Sequence, residues 1–233
     1  MKISNEVVFI TGANRGLGLA FAREALARGA RKVYAAARRP QDVSLPGVVP
    51  VQLDVTDPGQ IDAAVRACGD VSVLVNNAGI GTNGGFLADD SVEKARALMD
   101  TNFFGPLRIS AAFAPVLARQ GGGAILNVLS LSSWVTRPVV GLYAASKAAA
   151  WSLTNGLRHE LSEQGTQVLG LHVAWVDTDM TSGFDVPKTS AIDVVRAAFD
   201  GLEAGASEVL ADELSRQVHR NLSGSPAVYL LAR

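Results

Sequence analysis

The sequence predicts an α/β fold: one doubly wound, mostly parallel sheet with helices on both faces. Three observations predict it. Short apolar runs alternate with longer helical patterns from end to end. The runs lack the polar alternation of half-exposed strands. No linker, internal repeat or low-complexity tract interrupts the order, so residues 1–233 are read as a single domain.

EVVFIT (6–11) is the first strand, apolar at successive positions as a strand buried on both faces must be. Residues 16–28 follow as a helix, and KVYAAA (32–37) as strand two. The link from Arg38 to Gly47 carries two prolines and is too short for a full crossover helix. Strand three is VVPVQL (48–53), with a helix near 59–68. SVLVN (72–76) is strand four. A long helical stretch runs from about Ser91 to Gln120, with Pro106 expected to break or bend it. GGGAILNVLS (121–130) holds strand five. A helix at 142–163, strand six at 167–174, a helix at 191–204 and a short strand at 208–211 complete the order.

Formal net charge is −1, so there is neither a basic field to attract nucleic acid nor an acidic tail. No apolar run reaches the roughly 18–20 residues that span a bilayer. The opening MKISNEVVFITG runs straight into a strand, so no signal peptide and a cytoplasmic location are expected. Cys68 is the only cysteine, which excludes an internal disulfide and a cysteine-rich metal site; it reads as a packed residue. His159, His172 and His219 do not cluster in sequence, and no metal site is expected.

Doubly wound sheets bind ligands beyond the carboxyl ends of their strands, so motifs at strand ends carry the functional reading. TGANRGLG (11–18) lies where strand one turns into helix one. Gly12, Gly16 and Gly18 permit a tight turn and close approach of backbone to a pyrophosphate, which the helix amino end attracts. Asn14, Arg15 and Leu17 share that turn and are read as cofactor contacts with it. Strand two ends in AAARRP, where a carboxylate would take a ribose 2′-hydroxyl; Arg38 and Arg39 stand there instead. A guanidinium can clamp a 2′-phosphate, so Arg38, with Arg15 on the same side, points to NADP(H) rather than NAD(H). Asp54 and Val55 read as adenine contacts. In NNAG (76–79), Asn77, Ala78 and Gly79 read as cofactor contacts, while Asn76 is left between that role and tying neighbouring strands together.

Tyr143 and Lys147 are i and i+4, on one helical face, and Ser130 ends strand five. Reducing a carbonyl by hydride leaves negative charge on oxygen, which a proton must quench. A phenol titrating near ~10 is a poor acid or base at neutral pH; a nearby ammonium should lower that value. Lys147 can also hold ribose hydroxyls of the cofactor, and Ser130 can orient the carbonyl oxygen. Asn102, in the middle of the long helix, can anchor a water beside Lys147. Trp134 and Trp175 flank this centre as candidate pocket walls.

Taken together, TGANRGLG, NNAG, Asn102, Ser130 and YAASK resemble the short-chain dehydrogenase/reductase family, in its Tyr-x-x-x-Lys branch, over about residues 3 to 180. The resemblance implies a Rossmann-type seven-stranded sheet and a catalytic set falling on Asn102, Ser130, Tyr143 and Lys147. It also implies Val176 and Thr178 as cofactor contacts, and a homodimer or homotetramer built on the helices carrying Asn102 and Tyr143. The chain departs from the family at Val173-Ala174, where Pro-Gly is usual, and in a short lid from Thr178 to about Lys188 that suggests an open substrate site. The expected activity is an NADPH-dependent carbonyl reductase, or alcohol dehydrogenase in reverse, acting on a small-molecule ketone or aldehyde. Its rival is an NADP(H)-binding redox sensor without turnover.

Overall fold

The computed structural model describes residues 1–230; residues 231–233 lie outside the described residues. Seven parallel strands form one sheet in the order β3-β2-β1-β4-β5-β6-β7. They are β1 Val7–Thr11, β2 Lys32–Ala37, β3 Val49–Gln52, β4 Val73–Asn76, β5 Ala124–Val128, β6 Gln167–His172 and β7 Glu208–Leu210. The helices are α1 Gly16–Ala27, α2 Pro58–Ala67, α3 Ser91–Met99, α4 Gly105–Arg119, α5 Gly141–Glu160, α6 Ala191–Glu203 and α7 Glu213–Arg220.

Alternate residues of β1 feed two separate cores. Val8 and Ile10 pack with α1 and α6, where Phe21 meets Phe199 edge-on at 5.3 Å. Val7 and Phe9 face α2, α4 and α5, where Phe9 lies 4.8 Å from Phe113. Each such aromatic contributes about 1.5–3 kcal/mol on burial, which explains why the run is apolar at every position.

The expected long helix is interrupted just before Pro106, within the stretch where a break or bend was expected. A π-helical turn, Asp100–Phe104, joins α3 to α4. Pro106 stands in the first turn of α4, where its missing N–H goes unneeded. The π turn swings Asn102 inward, to 1% exposure. Gly105 follows because a Cβ there would come within 2.9 Å of Val55 Cγ2.

The helix α7 was not expected. It is short and polar, and its signal is the cap: the Asp212 side chain accepts the Ser215 N–H at 2.8 Å. The link after β2 holds only a 3₁₀ turn, Pro40–Asp42, as its length required. No described helix is long and apolar enough to cross a membrane.

Candidate active site

A cleft of about 1480 Å³ opens along the carboxyl edge of the sheet, fed by the ends of β1 through β6. It spans the point between β1 and β4 where the strand order reverses, which is where an open α/β sheet parts to admit a ligand.

Backbone makes one end of it. Gly12 and Gly16 have φ of +67° and +53°, conformations that side chains disfavour. Gly18 has an ordinary φ but no room: a Cβ would sit 2.1 Å from the Gly12 carbonyl oxygen and 2.6 Å from Asn77 Nδ2. Asn77 locks the turn from β4, donating from Nδ2 to the Thr11 and Gly12 carbonyls at 2.9 and 3.2 Å. The N–H groups of Asn77 and Ala78 both donate to Thr11 Oγ1. Arg15 occupies the N-cap of α1 without a side-chain cap, leaving first-turn N–H groups without a side-chain acceptor. These features fit a dinucleotide pyrophosphate.

Around this turn, Arg39 is paired with Asp42 at 2.8 Å, whereas Arg38 is exposed, lines the cleft and has no ion-pair partner among the described residues. Arg15 Nη1 reaches Asp179 Oδ2 at 3.2 Å, bridging the glycine turn to the segment after β6. Asp54 lines the cleft while its Oδ1 accepts the Thr56 N–H and hydroxyl, so it caps a turn as well. Asn76 is structural: it is buried and donates to Ser110 Oγ and Asn127 Oδ1 at 3.0 and 2.8 Å.

Buried side chains make the other end. Ser130 starts a 3₁₀ turn, Leu131–Ser133, with its hydroxyl accepting the Ser132 N–H at 3.0 Å. Tyr143 lies in the first turn of α5, beside Ser130. One turn on, Lys147 is buried, its Nζ donating to the Val128 carbonyl at 2.9 Å and standing 5.9 Å from the Tyr143 ring centre.

The electrostatics correct one expectation. Lys147 does not lower the tyrosine. Burial pushes the Tyr143 phenol up to about 12, against a pull downward from its hydrogen bond with Ser130. Burial also pushes Lys147 down to about 8. Tyr143 is therefore a neutral phenol at physiological pH, the state of a proton donor.

A short-chain dehydrogenase family model matches residues 6–188. The chain belongs to the short-chain dehydrogenase family. A short-chain dehydrogenase from Burkholderia cenocepacia, solved in complex with NADP, is 38% identical, with TM-score 0.93 over 97% of this chain and 96% of that one. Galactitol 2-dehydrogenase of Agrobacterium fabrum is 35% identical over 88% of this chain and 80% of its own length. A bovine relative, dehydrogenase/reductase SDR family member 7B, is 32% identical over 77% of this chain, which spans 60% of that protein. The protein is thus a member of a family of short-chain oxidoreductases.

In this dehydrogenase all the expected site residues line the cleft except Gly18 and Asn102. Gly18 works beneath the glycine turn, by the close packing described above. Asn102 is buried beneath the cleft wall, where a Cβ on Gly79 would meet both its Oδ1 at 3.2 Å and Lys147 Nζ at 3.8 Å. Its Oδ1 accepts the Ile80 N–H, and its Nδ2 donates to the Ile80 carbonyl and Ser146 Oγ, at 2.9, 2.9 and 3.0 Å. Ser146 Oγ donates in turn to the Tyr143 carbonyl at 2.7 Å. Asn102 therefore supports the strand-four loop and the first turn of α5, with both its amide hydrogens committed.

Trp175 lines the cleft, but Trp134 does not; it stacks on His172 instead. At Val173-Ala174 the path is anchored on both sides. The Val173 carbonyl accepts the Leu131 N–H at 2.9 Å, and the Ala174 N–H donates to Asp212 Oδ2 at 2.7 Å. The lid is pinned at its base by the pairing of Val176 with Thr189. Sequence reasoning missed Leu214, which reaches the cleft from α7, and Thr82 and Asn83, which follow β4 in an irregular segment.

Proposed function

We propose that this dehydrogenase is an NADPH-dependent carbonyl reductase, or alcohol dehydrogenase in the reverse direction, acting on ketones or aldehydes. The observation that carries the reading is one wall bearing Ser130, Tyr143 and Lys147, in the same cleft as the glycine turn and Arg38, which has no ion-pair partner among the described residues.

The residues fit a dinucleotide. Gly12, Asn14, Arg15, Gly16 and Leu17 cradle the pyrophosphate, Asp54 and Val55 flank the adenine, and Arg38 takes a 2′-phosphate. Asn77, Ala78, Gly79, Val176, Thr178 and Lys147 border the remainder. Bound there, a reduced nicotinamide supplies hydride. Ser130 orients the carbonyl oxygen. Tyr143, a neutral phenol, gives the proton that quenches the oxyanion, and Lys147 offsets the negative charge left behind. Val135, Val140, Trp175, Met180, Phe184 and Leu214 make an apolar substrate wall, suited to a carbonyl carried on an apolar body.

We extend the proposal to a single-domain, cytoplasmic enzyme working as a homodimer or homotetramer. Light scattering after gel filtration gives the state. The test of function follows NADPH absorbance with a panel of ketones, aldehydes and quinones. Turnover that disappears in Tyr143→Phe supports it. A flat trace with tight NADPH binding would instead mark a redox sensor.

A further inference from the structure

We propose that His172 is a positioning residue, which fixes the turn that aims the Ser130 hydroxyl. The proposal rests on the reductase reading. His172 closes β6, a strand otherwise apolar after Gln167, and has no exposed surface. A leucine there would avoid the cost of burying an imidazole, so the polar ring needs a reason. Its contacts give one.

Nδ1 lies 3.3 Å from the Ser130 carbonyl oxygen, at the start of the 3₁₀ turn. The ring stacks on Trp134, centres 3.9 Å apart and 18° from parallel, at the end of the same turn. On its far side Nε2 stands 3.5 Å from Glu208 Oε1 on β7 and has no hydrogen-bond partner among the described residues. Glu208 Oε1 also accepts the Trp151 Nε1–H at 3.3 Å. His219 of α7 closes the cluster, 5.1 Å from Trp134.

The turn is otherwise wired mostly to itself. Ser133 N–H donates to the Ser130 carbonyl at 2.9 Å, and Ser130 N–H to Ser133 Oγ at 3.4 Å. β6 is what ties it to the sheet, through the Leu131 N–H on the Val173 carbonyl and through His172. Donation to the Ser130 carbonyl places the proton on Nδ1. Loss of the tether lets Ser130 drift, and small misplacements cost rate steeply.

The experiment compares His172→Phe, which keeps the stacking on Trp134 but removes the donor, with His172→Asn, which keeps an amide nitrogen near the Nδ1 position but packs worse. His172→Leu replaces the first should it not fold. The expected result is a kcat lowered about 10- to 100-fold in His172→Phe, with KM for NADPH unchanged and a smaller loss in His172→Asn. A role in packing alone reverses that order and overturns the proposal, as does an unchanged kcat. In a Ser130→Ala background, His172→Phe should cost nothing further; full additivity overturns the proposal too. Amide exchange of residues 131–134 reads the tether without turnover. Faster exchange in His172→Phe than in His172→Asn supports it, and equal exchange in both overturns it. Should the unaltered protein turn over no carbonyl, the reductase reading fails by itself and the exchange result alone decides what His172 does to the turn.

Discussion

The glycine turn between β1 and α1 and the wall formed by β5 and α5 face the same cleft but are made of different material. At the turn the working groups are backbone N–H groups, and side chains matter mostly by being absent: a Cβ on Gly18 would run into the Gly12 carbonyl at 2.1 Å. At the wall the working groups are a phenol, an ammonium and a hydroxyl, two of them with titration displaced by burial in opposite directions. The difference teaches where each end is vulnerable. The turn fails by steric addition, and the wall fails by removal of a single proton or charge.

Changing one atom at the wall is expected to have the largest effect. Tyr143→Phe should lower kcat/KM by about 10²- to 10⁴-fold, while the NADPH dissociation constant, read by fluorescence titration, stays put. A parallel loss of cofactor affinity would show that the two ends are not separable. Next comes addition at the turn. Gly18→Ala should destabilise the fold by about 1–3 kcal/mol and weaken NADPH binding, as seen by thermal melts with and without cofactor. An unaltered melt would mean that the Gly12 carbonyl can move aside.

Arg38→Ala sharpens the comparison by touching a cation just past β2 that has no ion-pair partner among the described residues. Loss of a charge-assisted bond of about 1.5–3 kcal/mol should raise the NADPH dissociation constant roughly 10- to 100-fold and leave NADH untouched. Equal weakening of both dinucleotides would remove the case for NADP(H). A smaller effect belongs to pH. Lys147 sheds its proton near 8 while Tyr143 keeps its own to about 12. Reduction should then be flat below pH 8 and fall above it, and the inflection should vanish in Lys147→Met. The stability sign runs the other way. A lysine with a depressed folded-state value loses its proton first in the fold, so stability from this group rises from about pH 8 toward the ordinary lysine range. The mildest change is Asp179→Ala. Its pair with Arg15 is exposed on both sides, so melting should shift by the equivalent of about 0–1 kcal/mol.

What was legible in the sequence follows the same division. The order of elements and the glycine turn could be read because local pattern determines them: apolar runs for strands buried on both faces, and small residues where a turn must close. Ser130, Tyr143 and Lys147 could be placed together because strand ends and helical spacing bring them to one edge. The protonation of Tyr143 could not, since desolvation depends on everything packed around it. The π turn was hidden because residues 100–104 look helical, and only tertiary contacts decide that an extra residue is accommodated there. His172 looked bland for a related reason: its partners Ser130, Trp134 and Glu208 are far away in the chain and meet only when β5, β6 and β7 align.

The anchoring of Ala174 by Asp212 and the reach of Leu214 into the cleft carry a consequence for biosynthesis. A chain emerges from the ribosome amino end first, and its early portions can begin folding before the later ones exist. Here the catalytic mouth is finished only when translation has passed residue 214. A product truncated before that position would hold most of the sheet yet lack the last stone of its own doorway.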